Sequence, residues 1–135
     1  MLNAEMQKLK KQNYFPIPNA VFDLDLTDGE ILVYAFLLRC EDRRTYQCHP
    51  SYTTIGRAIG KSVNSVRKYV QGLIQKGLIT TERTQIVTKS GETRNGTLLY
   101  TILPIQQVID RQFEKQMTLA MIENRKQEIQ EKLRK

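Results

Sequence analysis

Between Ser62 and Lys76 lies a stretch rich in side chains that hydrogen-bond and free of any carboxylate: Asn64, Ser65, Arg67, Lys68, Gln71 and Gln75. Asn and Gln amides can pair with the edge of adenine, Lys donates to the acceptors of guanine, and a short Ser permits close approach of a duplex. Set at about 100° per residue, Val63, Val66, Val70, Leu73 and Ile74 fall on one face of a helix. The polar set then occupies the opposite face, with Gly72 also pointing outward. A merely solvated helix normally alternates Glu with Lys, whereas this acid-free face suits a polyanion. Two roles for Gly72 remain open at this point, close contact with a phosphate backbone or packing against a neighbouring side chain.

Further cations and hydroxyls surround that helix. Lys61 and Ser62 sit at its N-terminus, where free amides and the helix dipole favour phosphate. Thr53, Thr54 and Arg57 lie on the preceding short helix, and Lys89 and Arg94 lie in a polar segment further on, where they could flank a minor groove. The charge distribution agrees with this. Of 21 Lys and Arg against 14 Asp and Glu, residues 51–103 hold 8 basic and only 2 acidic side chains. A polyanion partner, double-stranded DNA, is the expectation.

The elements that position these residues can be read locally. Thr27-Asp28-Gly29-Glu30 matches a capping box and predicts a largely buried helix over about Asp28–Cys40, with Ile31, Tyr34, Ala35 and Leu38 inward and Leu32, Phe36 and Leu37 widening the stripe. Thr45–Cys48 reads as a short strand. Ser51 caps a two-turn helix over Tyr52–Ile59, with Ile55, Ala58 and Ile59 inward. Gly60-Lys61-Ser62 makes a tight turn into the helix that ends near Lys76-Gly77, giving a helix-turn-helix. Residues 78–84 and 97–103 read as strands around a polar hairpin tip at 89–96. Before all of these, Phe15, Ile17, Val21 and Phe22 are expected to cover the core from an extended lead-in containing Pro16 and Pro18.

The expected fold is therefore α+β, mainly α: a winged helix-turn-helix with a three-helix core and a small antiparallel β wing, plus a long C-terminal helix. Residues 1–13 form an arm or short helix, 14–103 the domain, and 104–135 the C-terminal helix. A heptad seam of Ile105, Val108, Gln112, Lys115, Leu119, Ile122, Lys126, Ile129 and Leu133 suggests a homodimer through residues 104–135. A competing stripe of Ile105, Ile109, Phe113, Met117 and Ala120 suits packing against the same chain.

Several function classes are disfavoured. The longest apolar run, Ile31–Leu38, is far short of the roughly 20 residues that cross a bilayer, and no signal-peptide stretch follows the N-terminus, so a cytoplasmic location is expected. Cys40 and Cys48 are too few for a disulfide framework and are read as buried thiols. With His49 they fall short of a four-ligand metal site. No cofactor or small-molecule ligand is evident. No phosphate loop, nucleophile elbow or catalytic triad is legible, and no enzyme is expected.

With these elements placed, the chain resembles the bacterial winged-helix family, in particular the compact domains of mobile-element regulators and the N-terminal domain of plasmid replication initiators. The resemblance is carried by Tyr14-Phe15-Pro16-Ile17-Pro18-Asn19, Leu26-Thr27-Asp28-Gly29-Glu30, Ser51 through Gly60, and Ser62 through Ile79. It covers about residues 14–103 and implies sequence-specific binding of double-stranded DNA through helix 62–76. Replication initiators continue into a larger C-terminal region that is missing here, so either a stand-alone transcriptional regulator or a fragment is implied. Recognition of origin repeats is one alternative function, and a winged-helix protein-interaction module is another.

Overall fold

The computed structural model describes residues 13–134; the N-terminal arm expected over 1–13 lies, except for Asn13, outside them. A 3-10 turn at Asn19–Asp23 leads into helix α1 (Asp28–Cys40), strand β1 (Gln47–Cys48), helices α2 (Tyr52–Ile59) and α3 (Val63–Gln75), strands β2 (Ile79–Val87) and β3 (Thr93–Ile102), and helix α4 (Ile105–Arg134). The three strands form one antiparallel sheet in the order β1-β3-β2. The architecture is the winged helix-turn-helix with a long C-terminal helix that the sequence predicts.

Each helix of the domain starts on a side-chain cap. Thr27 Oγ1 accepts from the Glu30 amide while Glu30 Oε1 accepts from the Thr27 amide at 2.8 Å, completing the capping box. Ser51 and Ser62 cap α2 and α3 in the same way, each accepting from the amide three residues on. The core beneath is built by Val33, Tyr34 and Leu37 of α1, Ile55 of α2, Val66, Val70 and Leu73 of α3, and Leu78, Ile79 and Tyr100 of the sheet.

The helical faces are rotated slightly from their expected centres. On α1 the buried stripe runs through Val33, Tyr34, Leu37 and Leu38, and Leu32 is exposed. On α2, Ala58 is exposed and Gly56 is buried instead. Val63, in the first turn of α3, is also exposed. In the lead-in, Phe15 packs on the core and Ile17 is exposed, while Val21 and Phe22 sit on a 3-10 turn rather than in an extended run, which buries Val21 and leaves Phe22 75% exposed.

The wing is longer than its β-branched residues alone suggest. Backbone pairing extends to Val87↔Thr93, so the tip is the turn at 88–92, closed by Thr88 N–H to Glu92 O at 2.9 Å with Gly91 at φ 83°. The polar residues 93–96, expected at the tip, are strand. Between Arg83↔Leu98 and Gln85↔Asn95, Gly96 and Thr97 oppose Thr84 alone, a bulge across which Thr84 Oγ1 donates to Thr97 O. The first strand is shorter than expected, only Gln47–Cys48.

Candidate nucleic-acid interface

The turn between α2 and α3 depends on two glycines. Gly60 ends α2 at φ 72°, in the left-handed region. Gly56 accepts at its carbonyl from the Lys61 amide at 2.9 Å, and a Cβ there would lie 2.5 Å from the Lys61 carbonyl oxygen. Only a residue without a side chain lets the turn fold back this closely over α2. The turn then delivers α3 with Val66, Val70 and Leu73 inward and its polar face outward.

The position of α3 against α1 is set by a reciprocal pair of contacts. The Tyr69 ring of α3 lies over Gly29 of α1, where a Cβ would meet the ring at 2.1–2.3 Å. Conversely, the Glu30 carboxylate of α1 lies over Gly72 of α3, where a Cβ would meet Oε2 at 1.9 Å. Each helix thus supplies one glycine that receives a large side chain of the other. Gly72 therefore packs against Glu30 rather than facing outward, which resolves the two roles open for it in favour of intramolecular packing.

Glu30 is buried, and its Oε1 also accepts from Lys76 Nζ at 2.7 Å, while Lys76 donates to the Asp25 carbonyl at 3.0 Å. Burial by itself would raise the Glu30 pKa, but hydrogen bonds from Lys76 and the Thr27 backbone, together with the Lys76 charge, outweigh it and hold the carboxyl below its ordinary value. This ionised carboxylate ties the start of α1 to the end of α3.

On the outward face Asn64, Arg67, Lys68, Gln71 and Gln75 are exposed and Ser65 is half-buried. Their states differ. Arg67 Nη1 donates to Asn64 Oδ1 at 3.3 Å, and its guanidinium lies 5.6 Å from the centroid of the Tyr52 ring on α2. Arg67 and Asn64 are thereby pre-oriented as a pair. Ser62 Oγ donates to Ser65 Oγ at 3.0 Å, so both hydroxyls are engaged at the cap. Thr54 Oγ1 shares a hydrogen bond with Ser51 Oγ at 2.9 Å, and Thr53, Arg57 and Lys61 are exposed beside it.

A shallow depression runs between this face and the start of α1, with Asn64, Lys68 and Gln71 on one side and Thr27 and Asp28 on the other. Exposed Asp28 was not singled out by sequence reasoning. Its position beside α3 follows from the α1–α3 packing, which no local signal reveals. In the wing, Lys89 stands exposed at the tip. Arg94 is in β3, opposite Ile86, and lies 3.8 Å from Glu92 as an exposed ion pair.

Neither cysteine lines this depression. Cys48 is buried, its thiol pushed up to about 12 by burial and by the charges of Cys40 and Glu41, and its Sγ lies 3.7 Å from the Leu37 carbonyl. Cys40, expected to be buried, is exposed because it ends α1 on the solvent side. Among the described residues no cluster of His, Cys, Asp or Glu could hold a metal ion, and no helix is long and apolar enough to cross a membrane.

Helix α4 packs on the domain only through its first turns. Val108 is buried, Ile105 and Ile109 are half-buried, and Gln112 Nε2 donates to the Asp23 carbonyl at 3.1 Å. Every residue from Phe113 to Arg134 is exposed. Ile105 and Ile109 of the competing stripe thus pack on the domain while its Phe113, Met117 and Ala120 are exposed, and of the heptad seam Ile105, Val108 and Gln112 face the domain.

The family profile described as a helix-turn-helix domain matches residues 24–79. No curated protein matches the chain significantly. Among solved structures it is similar to a possible transcriptional regulator from Methanosarcina mazei Go1, at 20% identity over 80% of each chain and a TM-score of 0.47. It is similar also to the adhesin competence repressor AdcR of Streptococcus pyogenes, at 13% identity over 91% of this chain and 81% of that one, TM-score 0.41. A third is MepR of S. aureus in complex with DNA, at 14% identity over 89% and 88% of the two chains, TM-score 0.42. The segment that matches the helix-turn-helix domain spans α1, α2 and α3 with their connecting turns, and the β2–β3 hairpin that follows gives this part of the chain a winged helix-turn-helix architecture.

Proposed function

We propose that the chain is a sequence-specific double-stranded DNA-binding protein that regulates transcription, with α3 in the major groove and the wing against the backbone or minor groove. One observation carries this reading. The outward face of α3 presents Asn64, Arg67, Lys68, Gln71 and Gln75 with no acidic residue anywhere in Val63–Gln75, on a helix held rigidly by the Gly29/Tyr69 and Gly72/Glu30 contacts. Lys68, Gln71 and Gln75 read bases. Arg67, braced by Tyr52, keeps Asn64 in a fixed rotamer for the same purpose. Lys61, Ser62, Ser65, Thr53, Thr54 and Arg57 line the phosphates on either side. Lys89 and Arg94 follow the backbone from the wing.

A homodimer through α4 fits the same reading, because its exposed half carries Leu119, Ile122, Ile129 and Leu133 at seam spacing. Two-fold proteins read palindromic sites with half-sites about one helical turn apart. A role at a plasmid or mobile-element replication origin would use the same face on iterated repeats.

Selection of bound duplexes from a random pool, then titration of the winner and a scrambled control at two salt concentrations, tests this. A shared motif is expected, palindromic if the dimer forms. If Arg57, Lys61, Lys89 and Arg94 each neutralise a phosphate, log K falls against log salt with a slope of roughly −3 to −4 per chain. Lys68→Ala or Asn64→Ala relaxes base preference, whereas Lys89→Ala or Arg94→Ala lowers affinity evenly across sequences. No binding at low salt, or an unchanged preference in Lys68→Ala, overturns the assignment; the former would favour a protein-interaction module.

A further inference from the structure

The bulge at Thr84 decides which side chains of the wing share a face. Up to Arg83↔Leu98 the sheet turns Ile79, Tyr100 and Ile102 into the core, with Leu98 packed against it. Successive residues alternate, so Arg83, opposite Leu98, lies on this inner face just beyond the last core contact. Gly96 and Thr97 then share the place opposite Thr84, and pairing resumes at Gln85↔Asn95. Asn95 is thereby brought to the inner face, where an unbroken ladder would have turned it outward. A Cβ on Gly96 would meet Thr84 Oγ1 at 2.5 Å and Ile86 Cγ1 at 3.1 Å, so Gly96, Thr84 and Ile86 hold the outer face. Arg94, opposite Ile86, belongs with them.

The two faces differ in charge. The outer face carries Glu82, and its Arg94 is paired with Glu92. The inner strip of Arg83, Gln85 and Asn95 is exposed and acid-free, and none of these three side chains makes a hydrogen bond or ion pair among the described residues. The outward face of α3 has the same composition. The strip also looks the same way. Burial and neighbouring Tyr52 push up the phenol of Tyr100 on the inner face, and Tyr52 in turn lies beneath the Arg67 guanidinium of α3. A duplex lying on α3 therefore meets the inner face of the wing and not the outer one.

We propose that Arg83, Gln85 and Asn95 form a second base-reading strip, which selects A·T pairs in the minor groove flanking the segment read by α3. A guanidinium enters a narrow A·T minor groove, and amides donate to the adenine N3 and thymine O2 acceptors that the 2-amino group of guanine obstructs. The inference rests on the DNA-binding reading above and adds to it the determinant of the flanks, with Lys89 and Arg94 remaining backbone contacts.

The duplex selected by the parent protein tests it, with its flanks set to A·T, to G·C, or to inosine–cytosine, which restores the minor-groove pattern of A·T but not its major groove. The parent is expected to lose about tenfold in affinity with G·C flanks and to regain it with inosine–cytosine. Arg83→Ala and Asn95→Ala, both at exposed positions, should each shrink that ratio severalfold, whereas Arg94→Ala weakens all three duplexes alike and Lys68→Ala leaves the flank ratio intact. A parent that binds selectively but holds A·T and G·C flanks equally overturns the strip alone. So does a flank preference that survives in both strip variants, that is lost in Arg94→Ala, or that treats inosine–cytosine as G·C. No duplex binding by the parent at low salt overturns the DNA-binding reading and this inference together.

Discussion

Replacing Gly72 by alanine pits two opposing effects against each other, and the structure decides the sign. In an ordinary helix interior the change stabilises by about 1 kcal/mol. Here the new Cβ would stand 1.9 Å from Glu30 Oε2 and 2.9 Å from Cδ, so the carboxylate must swing away. It cannot do so freely, because Oε1 holds the Thr27 amide at 2.8 Å and Lys76 Nζ at 2.7 Å. The capping contact contributes about 1 kcal/mol. The contact with Lys76, whose side chain is 37% exposed, contributes about 1–2 kcal/mol after allowance for solvent screening. Gly72→Ala should therefore destabilise the domain by about 1–2 kcal/mol net, read from the urea midpoint by far-UV circular dichroism with the slope unchanged. In a Glu30→Ala background the obstruction is gone, and the same substitution should stabilise by up to about 1 kcal/mol. A Gly72→Ala protein as stable as the parent, or the same effect in both backgrounds, would refute the packing argument.

Three other outcomes follow from the same contacts. Because the folded-state pKa of Glu30 lies below its ordinary value, the stability it contributes is present above the ordinary carboxylate range and is lost as pH falls through the depressed value; Glu30→Gln should remove that part of the acid dependence in urea titrations at successive pH values. Iodoacetamide at pH 8 should label exposed Cys40 in the native protein and reach Cys48, buried with a thiol pKa near 12, only after unfolding; mass spectrometry showing fast native labelling of Cys48 would contradict its burial. Tyr100 is fully buried, and its hydroxyl has no hydrogen-bond partner, so Tyr100→Phe should leave thermal stability unchanged or raise it by about 1 kcal/mol. A loss of that size would mean that the hydroxyl is satisfied in solution.

What could be read in advance was what local chemistry specifies. Thr27, Ser51 and Ser62 start their helices because each hydroxyl meets an amide three residues on, and Gly60 and Gly77 end theirs in the left-handed region. The exposed face of α3 was legible for the same reason, since Val66, Val70 and Leu73 fix its opposite side. Contacts between distant residues were not. Gly72 looked outward on an ideal wheel, yet Glu30, 42 positions earlier, occupies the space above it. Residues 93–95 carry loop chemistry but are strand, because the ladder with residues 85–87 satisfies their backbone where propensity would not. Arg67 over Tyr52 and Asp28 beside Lys68 both arise from how the elements pack.

The bare half of α4 has a consequence for where the molecule is fully ordered. From Phe113 to Arg134 every residue is exposed, so this segment draws its helix chiefly on local propensity rather than on packing against the domain, and helicity of that kind varies with length and temperature. If copies pair through this segment, as proposed above, its helicity becomes a gauge of crowding by its own kind. Two copies brought to adjacent half-sites on one duplex would meet at a far higher effective concentration than in bulk. Under that proposal the tail would gain order where the copies gather and fray where they are dilute, and a duplex with two half-sites would be the template on which the assembly finishes folding.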